Sequence, residues 1–261
     1  MADAAGGLRI LVCVKRVPAP GARIALTADG RGIDTKNLGF TTSPHEECAV
    51  EEGIRLVERH GGSSTVMTLG PPEADEQLRY ALSVGTSGAV LVATEGADPD
   101  PQATARALVT AIGALEEADG PFDLILFGNE SADSGGFQVG IRTARALGRP
   151  VVNGIKGIDV EGGSVTARRE SSDGLEVYRL ALPAVLGVKE GLNLPRYPTL
   201  PGRLRSRKAD VARLEALGGA GGLQAVGFSL PTEQVTDTTV LGTGADAAPA
   251  VVDLLQELGL L

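Results

Sequence analysis

Short apolar segments alternate with amphipathic segments along the first part of the chain. Five apolar runs have the length of strands, at residues 8–14, 64–69, 89–93, 124–127 and 151–155. Four segments between them have helical spacing, at residues 46–60, 73–84, 101–118 and 137–147. Strands that are continuously apolar are typical of sheets covered on both faces. The pattern therefore predicts an α/β fold with a mostly parallel, doubly wound sheet.

Two segments depart from this alternation. The link between the first strand and the first helix, about residues 16–43, is unusually long and has its own turn at residues 28–32. It predicts an inserted hairpin over about residues 20–40. After about residue 195 the alternation fades, and a glycine-rich stretch at 217–222 precedes a final helix at 247–258. We predict an α/β domain over residues 1–210 and a C-terminal linker and arm over 211–261.

The final helix carries an apolar stripe made of Val251, Leu254, Leu255 and Leu258. An apolar helix face needs a surface to pack on, in this chain or in a partner. The stripe therefore predicts that the arm extends the α/β domain and covers something.

Composition excludes several classes of protein. The net charge is −9, only 3% of residues are aromatic, and there is no tryptophan. An acidic chain repels a phosphate backbone and lacks stacking platforms, so no nucleic acid partner is expected. No stretch approaches the roughly 20 apolar residues of a membrane-spanning helix, and no basic segment precedes the first apolar run. We expect a cytoplasmic protein without a transmembrane segment.

Residues for catalysis or metal binding are sparse. The chain has two histidines and two cysteines, and Cys13 and Cys48 belong to no CxxC pair. No GxGxxG follows the first strand, and no GxxxxGK[ST] is present. The sequence predicts no catalytic residues and no metal site.

The first candidate binding segment lies at the start of the first helix. Ser43 as N-cap, Pro44 at the first helical position and Glu46 three residues after Ser43 form a capping box. This pattern is explained equally well by a capped helix and by a helix end that borders a nucleotide. His45 alone is more typical of a solvated loop than of a ligand.

The second candidate segment follows the fourth predicted strand. It contains, in order, Gly128, Asn129, Glu130, Ser131, Ala132, Asp133, Ser134, Gly135, Gly136, Phe137, Gln138 and Val139. Ordinary turns at this place need about two to six residues. A longer loop rich in small and polar residues, ending at a helix start, predicts a nucleotide site. Residues 134–137 match the start of the SGGxDS loop of adenylating ligases, but Gln138 and Val139 replace its Asp-Ser.

Five motifs stand in the order found in one family. They are VKRVP at 14–18; AVEE at 49–52 with LGP at 69–71 and LRYALSVG at 78–85; the loop at 128–140; RE at 169–170 with DGLE at 173–176 and LPAV at 182–185; and NLPRYPTLP at 193–201. Over about residues 8–210 the chain resembles the β subunit of electron transfer flavoproteins.

The resemblance implies a Rossmann-like fold of the adenine-nucleotide-binding type. It also implies a heterodimer with an α subunit, in which this chain holds a structural AMP and the complex holds FAD. The arm would pack on the α subunit. The chain would be an electron carrier subunit rather than an enzyme, reduced through flavin-dependent dehydrogenases and oxidised by a quinone reductase or another acceptor.

The resemblance also assigns residues. The AMP shell would comprise Cys13, Ser43, Pro44, His45, Glu46, Leu69 and the residues named above from Gly128 to Val139. The stretch from Arg196 to Arg205 matches a docking loop, with Leu200 as the anchor and Arg203 and Arg205 beside it as steering charges. An ordinary surface loop with one exposed leucine is the other interpretation of this stretch.

Three alternatives stay open. Val139 stands where AMP-binding members have a threonine and also occurs in relatives whose β subunit holds a second FAD. The chain could therefore belong to a bifurcating complex that uses NADH. A universal-stress-like ATP-binding module and an adenylating ligase are the other two alternatives.

Overall fold

The computed structural model describes residues 7–96, 98–217, 219, 221–231 and 238–261. Residues 1–6 of the N-terminal segment, and Gly218 and Ala220 of the glycine-rich stretch, lie outside this part. The strands are β1 (Leu8–Val14), β2 (Val17–Pro18), β3 (Phe40–Thr41), β4 (Gly62–Gly70), β5 (Gly88–Ala93), β6 (Leu124–Gly128), β7 (Val151–Glu161), β8 (Ser164–Ser171), β9 (Gly174–Ala181), β10 (Ala184–Val188) and β11 (Ala212–Glu215). The α-helices are α1 (Pro44–His60), α2 (Asp75–Val84), α3 (Pro101–Asp119), α4 (Val139–Ala146), α5 (Leu200–Lys208) and α6 (Ala248–Glu257).

A nine-stranded sheet forms the centre, in the order β11-β5-β4-β1-β6-β10-β7-β8-β9. All pairs from β11 to β7 are parallel, while β7, β8 and β9 form an antiparallel meander at one edge. The predicted mostly parallel α/β fold is confirmed. Parallel pairing places the carboxyl ends of β1, β4 and β6 side by side at one edge of the sheet.

Apolar side chains fill the space on both faces of this sheet. On β1, Ile10 and Val12 face the layer of α1 and α2, whereas Leu11 and Cys13 face the layer of α3 and α4. All four side chains are buried. The alternation along one strand explains why β1 reads as a continuous apolar run: each face of the sheet has its own core.

Four strands of the main sheet were not predicted from the sequence. β8 and β9 form the exposed end of the meander, so polar residues alternate with apolar ones in both. β10 is short and fully buried between β6 and β7, although it follows both in the chain. β11 adds a parallel edge strand beside β5. Sheet pairing thus reaches Glu215, and the domain boundary near residue 210 stays a prediction.

The link between β1 and α1 contains two antiparallel contacts. β2 pairs with β3, and Leu26 forms an isolated bridge with Ile33. Around the tip, the Thr27 amide donates to the Gly32 carbonyl at 2.9 Å, and the Gly30 amide donates to the Thr27 carbonyl at 2.9 Å. The segment therefore folds back on itself before α1 begins.

Beyond β11, the C-terminal arm contacts the domain again. The Phe228 amide donates to the Gly30 carbonyl at 2.8 Å. Oδ2 of Asp100, the N-cap of α3, accepts from the amides of Gly222 and Leu223 at 2.8 and 2.9 Å. Further along the arm, Val251 and Leu254 of α6 and Leu258, which directly follows the helix, are exposed.

None of the helices in the described part of the chain has the length and apolar character that a bilayer crossing requires.

Candidate functional site

The candidate site lies where β1, β4 and β6 end. Cys13, near the end of β1, pairs with Met67 of β4 and Phe127 of β6. Leu69 is the next-to-last residue of β4 and Gly128 is the last residue of β6, so the loops that follow start from one edge of the sheet. The topology therefore brings the predicted residues of β1, β4 and β6 together.

An apolar wall lines one side of this edge. Cys13 and Phe127 are buried in the cluster beneath α3 and α4, and Leu69 and Val139 pack against the same cluster. Burial raises the pKa of the Cys13 thiol well above its usual range, and the charge of Glu46 adds to the rise. The protonated, enclosed thiol is an apolar surface rather than a nucleophile.

The capping box at the start of α1 is present. The Ser43 hydroxyl accepts from the Glu46 amide at 3.2 Å, and Oε2 of Glu46 accepts from the Ser43 amide at 2.8 Å. Oε1 of Glu46 accepts from the Lys15 amide at 2.7 Å, which ties the end of β1 to α1. The Ser43 hydroxyl also donates to the Glu130 carbonyl at 3.3 Å. The buried Glu46 carboxyl group therefore links β1 to α1, and the Ser43 hydroxyl links α1 to the loop after β6. Pro44 takes the exposed first helical position.

Burial raises the pKa of Glu46 to about 7, against the opposing effect of the amides of Ser43 and Lys15. A carboxyl group with a raised pKa binds a proton more readily in the folded than in the unfolded chain. Its contribution to the free energy of unfolding is full below its ordinary pKa of 4.5, falls as the pH rises to about 7, and is constant above that.

We expect Glu46→Gln to flatten the dependence of the melting temperature on pH between about 4.5 and 7. Gln cannot exchange a proton in this range, and its amide group replaces one of the two acceptor oxygens. Melting curves of the purified complex at several pH values check this, with the exposed Glu117→Gln on α3 as the control. An unchanged pH profile in Glu46→Gln would remove Glu46 as the titrating group.

His45 is not the solvated loop residue expected from the sequence. Its Nδ1 accepts from the Glu190 amide at 2.7 Å, and its Nε2 lies 3.3 Å from Oε1 of Glu130. His45 thus joins α1 to the loop after β6 and to the segment after β10.

A compact turn forms the middle of the loop at residues 128–139. The Gly135 amide donates to the Ser131 carbonyl at 3.1 Å, the Ser134 amide donates to Oδ1 of Asp133 at 2.7 Å, and the two serine hydroxyls lie 2.9 Å apart. Gly135 has a φ of 52° and Phe137 a φ of 54°, with the Phe137 ring half exposed. At its start the loop is fixed to β10, because the Asn129 amide donates to the Val188 carbonyl at 2.8 Å. Ala132 and Gln138 are exposed.

Helix α4 begins directly after this turn without a side-chain cap. Its N-cap Gln138 makes no capping hydrogen bond and accepts instead from Nε of Arg142 at 3.1 Å. In contrast, α1, α3 and α5 are capped by Ser43, Asp100 and Thr199. Helices α2 and α6, which each follow a 3₁₀ turn, lack a side-chain cap as α4 does. The first amides of α4 therefore point from an uncapped helix end, where the helix dipole favours an anion.

Sequence reasoning missed Lys15 as part of this site. Its Nζ lies 2.5 Å from Oδ2 of Asp133 and 3.2 Å from Oδ2 of Asp98. Burial disfavours the charged form of Lys15, but the hydrogen bonds and charges of Asp133 and Asp98 leave its pKa above the ordinary value. Its position directly after β1 was the available signal. Among the described residues, no group of three His, Cys, Asp or Glu side chains could hold a metal ion.

The predicted docking residues lie on a separate surface. The expected docking loop is in fact a loop only to Thr199, because Leu200 is the first residue of α5. The Thr199 hydroxyl caps the helix by accepting from the Gly202 amide at 3.1 Å, and Pro201 fits its first turn. Leu200 is 72% exposed and is surrounded in sequence by the exposed Leu194, Tyr197 and Leu204. Arg203 and Arg205 are exposed on the same helix.

The segment before α5 is bound along the flank of α1. The Asn193 amide group donates to the Cys48 carbonyl at 3.0 Å and to Oε2 of Glu52 at 3.1 Å. Arg196 forms ion pairs with Glu51 at 2.8 Å and with Glu58 at 2.7 Å. The base of α5 therefore has a fixed position on the domain.

Comparison with known proteins identifies the family. The family model described as "Electron transfer flavoprotein domain" matches residues 32–217. The chain is 35% identical over 185 residues to the electron transfer flavoprotein subunit beta of Bacillus subtilis (strain 168), covering 70% of each chain. It is 35% identical over 225 residues to the subunit of the same name from Syntrophomonas wolfei, covering 86% of each. Protein FixA of Azorhizobium caulinodans is 33% identical over 208 residues, or 78% of this chain and 74% of that protein. The motifs, the fold and these relatives agree, and the chain belongs to the electron transfer flavoprotein family as a β-type subunit.

Proposed function

We propose that this chain is the AMP-binding β subunit of a heterodimeric electron carrier. The observation that carries the proposal is the uncapped start of α4 beside the turn at residues 131–135, at the carboxyl edge of the parallel sheet. Anionic groups of nucleotides bind at such helix ends in doubly wound folds. The chain would contribute binding and docking and would have no catalytic residue of its own.

The residues present fit an adenine nucleotide. Cys13 and Leu69 offer an apolar wall for the base, next to the buried cluster under α3 and α4. The first-turn amides of α4 and the glycines at 135 and 136 allow a phosphate to approach the backbone. The capped start of α1, with Ser43 and Glu46, would border the ribose.

A second FAD in place of AMP is the alternative that one observation favours. Val139 is the first residue of α4 and packs on the apolar cluster, so it supplies no hydroxyl to a phosphate. In that case the complex would bifurcate electrons from NADH.

Membership of the family implies an α subunit as partner, and we propose that the arm packs on it. The exposed apolar residues of α6 support this assignment, because contiguous exposed apolar residues mark surfaces that bind a partner. FAD, when bound in the complex, would carry the electrons from flavin-dependent dehydrogenases to a quinone reductase or another acceptor. A cytoplasmic location belongs to the same proposal.

The test is to identify what the complex releases when it is denatured. The chain would be co-expressed with its α subunit, purified and unfolded, and the released ligands separated and quantified. We expect one AMP and one FAD for each heterodimer. Two FAD would support the bifurcating alternative, and ATP without flavin would overturn the proposal.

A further inference from the structure

Lys15 forms a charged bridge across the candidate nucleotide site. Its ammonium group contacts Asp133 in the loop after β6 at 2.5 Å and Asp98 in the segment before α3 at 3.2 Å. The Lys15 backbone is itself fixed, because its amide donates to Glu46 at 2.7 Å. The other carboxylate oxygen of Asp133 accepts from the Ser134 amide at 2.7 Å. Lys15 and Asp133 are therefore each held at two points.

The charges around the uncapped start of α4 create a problem for an anionic ligand. Glu130 and Asp133 belong to the loop itself, and Asp98 lies across from it. Within the described residues, the ammonium group of Lys15 is the cation in contact with Asp133. A carboxylate without a partner at this place would repel a phosphate at the same helix end.

We propose that Lys15 is a positioning residue that neutralises Asp133 and so holds the loop in a form that accepts phosphate. The inference rests on the proposed nucleotide site but concerns a residue outside the nucleotide shell named above. Lys15 acts through Asp133. Its positive charge offsets the repulsion between the Asp133 carboxylate and a bound phosphate, and its 2.5 Å contact with Asp133 fixes the turn that precedes α4.

Partial burial of the Asp133 side chain separates its contact with Lys15 from an ordinary surface ion pair, whereas the side chain of Asp98, the other partner, is 65% exposed. The side chains of Lys15 and Asp133 are 31% and 24% exposed. In the pair of Lys156 with Glu170, at 2.7 Å, the carboxylate is 64% exposed. Exposed pairs contribute little because water and salt screen them, whereas a partly buried carboxylate that loses its cation keeps an uncompensated charge.

The experiment compares nucleotide binding in four variants of the co-expressed complex. They are Lys15→Met, Lys15→Arg, the double variant Lys15→Met with Asp133→Asn, and Lys156→Met as the matched control. After removal of bound nucleotide, the dissociation constants of AMP and of adenosine are measured by calorimetry. Hydrogen exchange of residues 128–139 is followed by mass spectrometry in the complex without added nucleotide.

We expect Lys15→Met to weaken AMP binding by about tenfold or more and adenosine binding far less, because adenosine has no phosphate. Faster exchange in residues 128–139 should accompany the loss. Lys15→Arg and the double variant should recover most of the affinity, since neither leaves Asp133 charged and alone. Lys156→Met should bind as the unmodified complex does.

Two results overturn the inference. One is an unchanged AMP affinity and exchange rate in Lys15→Met. The other is a double variant as weak as Lys15→Met, which would give Lys15 a role independent of Asp133. If the unmodified complex binds neither AMP nor FAD in this chain, the proposed nucleotide site is wrong, and the role of Lys15 in phosphate binding is wrong with it. The exchange data then show separately whether Lys15 holds the loop.

Discussion

Replacing Gly128 by Ala is expected to destabilise the domain by about 1–3 kcal/mol and to weaken nucleotide binding by at least about tenfold. A Cβ at this position would lie 2.6 Å from Cγ of Glu46 and 3.2 Å from the Glu46 backbone nitrogen. These atoms belong to the buried capping box, so the added carbon must push the start of α1 away from β6. The melting temperature and the AMP dissociation constant of the complex measure the two effects.

Gly136→Ala is the matched control for this substitution. The nearest atom to a Cβ at Gly136 is Cγ of Pro101 at 3.8 Å, and the backbone there does not have a positive φ. The same methyl group, added eight positions later in the same loop, should therefore leave stability almost unchanged. Equal losses of stability in the two variants would contradict the close packing of β6 against α1 as the reason for Gly128.

Under the proposed docking role of α5, Leu200→Ala is expected to slow reduction of the complex by a flavin-dependent dehydrogenase by about tenfold or more. One apolar side chain that fills a partner's pocket can dominate an interface, and Leu200 stands 72% exposed at the start of α5. The helix is firmly seated, because Gly202 packs so closely on the Ser83 carbonyl of α2 that a Cβ would overlap it. The rate is measured in steady state at several ionic strengths, together with nucleotide content and the flavin spectrum.

Leu204→Ala, one helical turn further on and 53% exposed, is the comparison for Leu200. A small effect there and a large one at Leu200 would identify a single anchor. Unchanged kinetics in Leu200→Ala would remove α5 from the docking role.

Neutralising Arg203 and Arg205 should slow association mainly at low salt, because exposed charges steer a partner over a distance that salt shortens.

Four of the five strands that sequence reasoning found, β1, β4, β5 and β6, contribute side chains to the cores on both faces of the sheet, which makes their apolar runs visible. The fifth, β7, was found from its apolar start at residues 151–155. β9 is an edge strand in which exposed and half-buried residues alternate, and this weakens the signal. β10 could not be placed from local pattern, because its position between β6 and β7 depends on pairing across the whole chain.

Some residues of the candidate site could be recognised from local sequence patterns, and others could not. The loop at residues 128–139 was visible from its length and polarity, and the capping box of α1 was visible because its members are three residues apart. Lys15 was not visible as part of the site, because its partner Asp133 lies 118 residues further along the chain. The same holds for His45 and Glu190, which are 145 residues apart. Contacts of this kind follow from topology, which short-range patterns do not encode.

Helix α1 lies against both the proposed nucleotide site and the segment that leads to α5. Its first turn borders the proposed nucleotide through Ser43 and Glu46, and its flank holds the segment that leads to α5 through Asn193 and Arg196. Two ligands that each restrain the same rigid helix share a coupling free energy, and thermodynamics requires that coupling to be reciprocal. Whatever factor a nucleotide adds to the affinity for a docking partner, the partner must return to the affinity for the nucleotide. A nucleotide bound at the start of α1 and a partner bound at α5 would therefore change each other's affinity by the same factor.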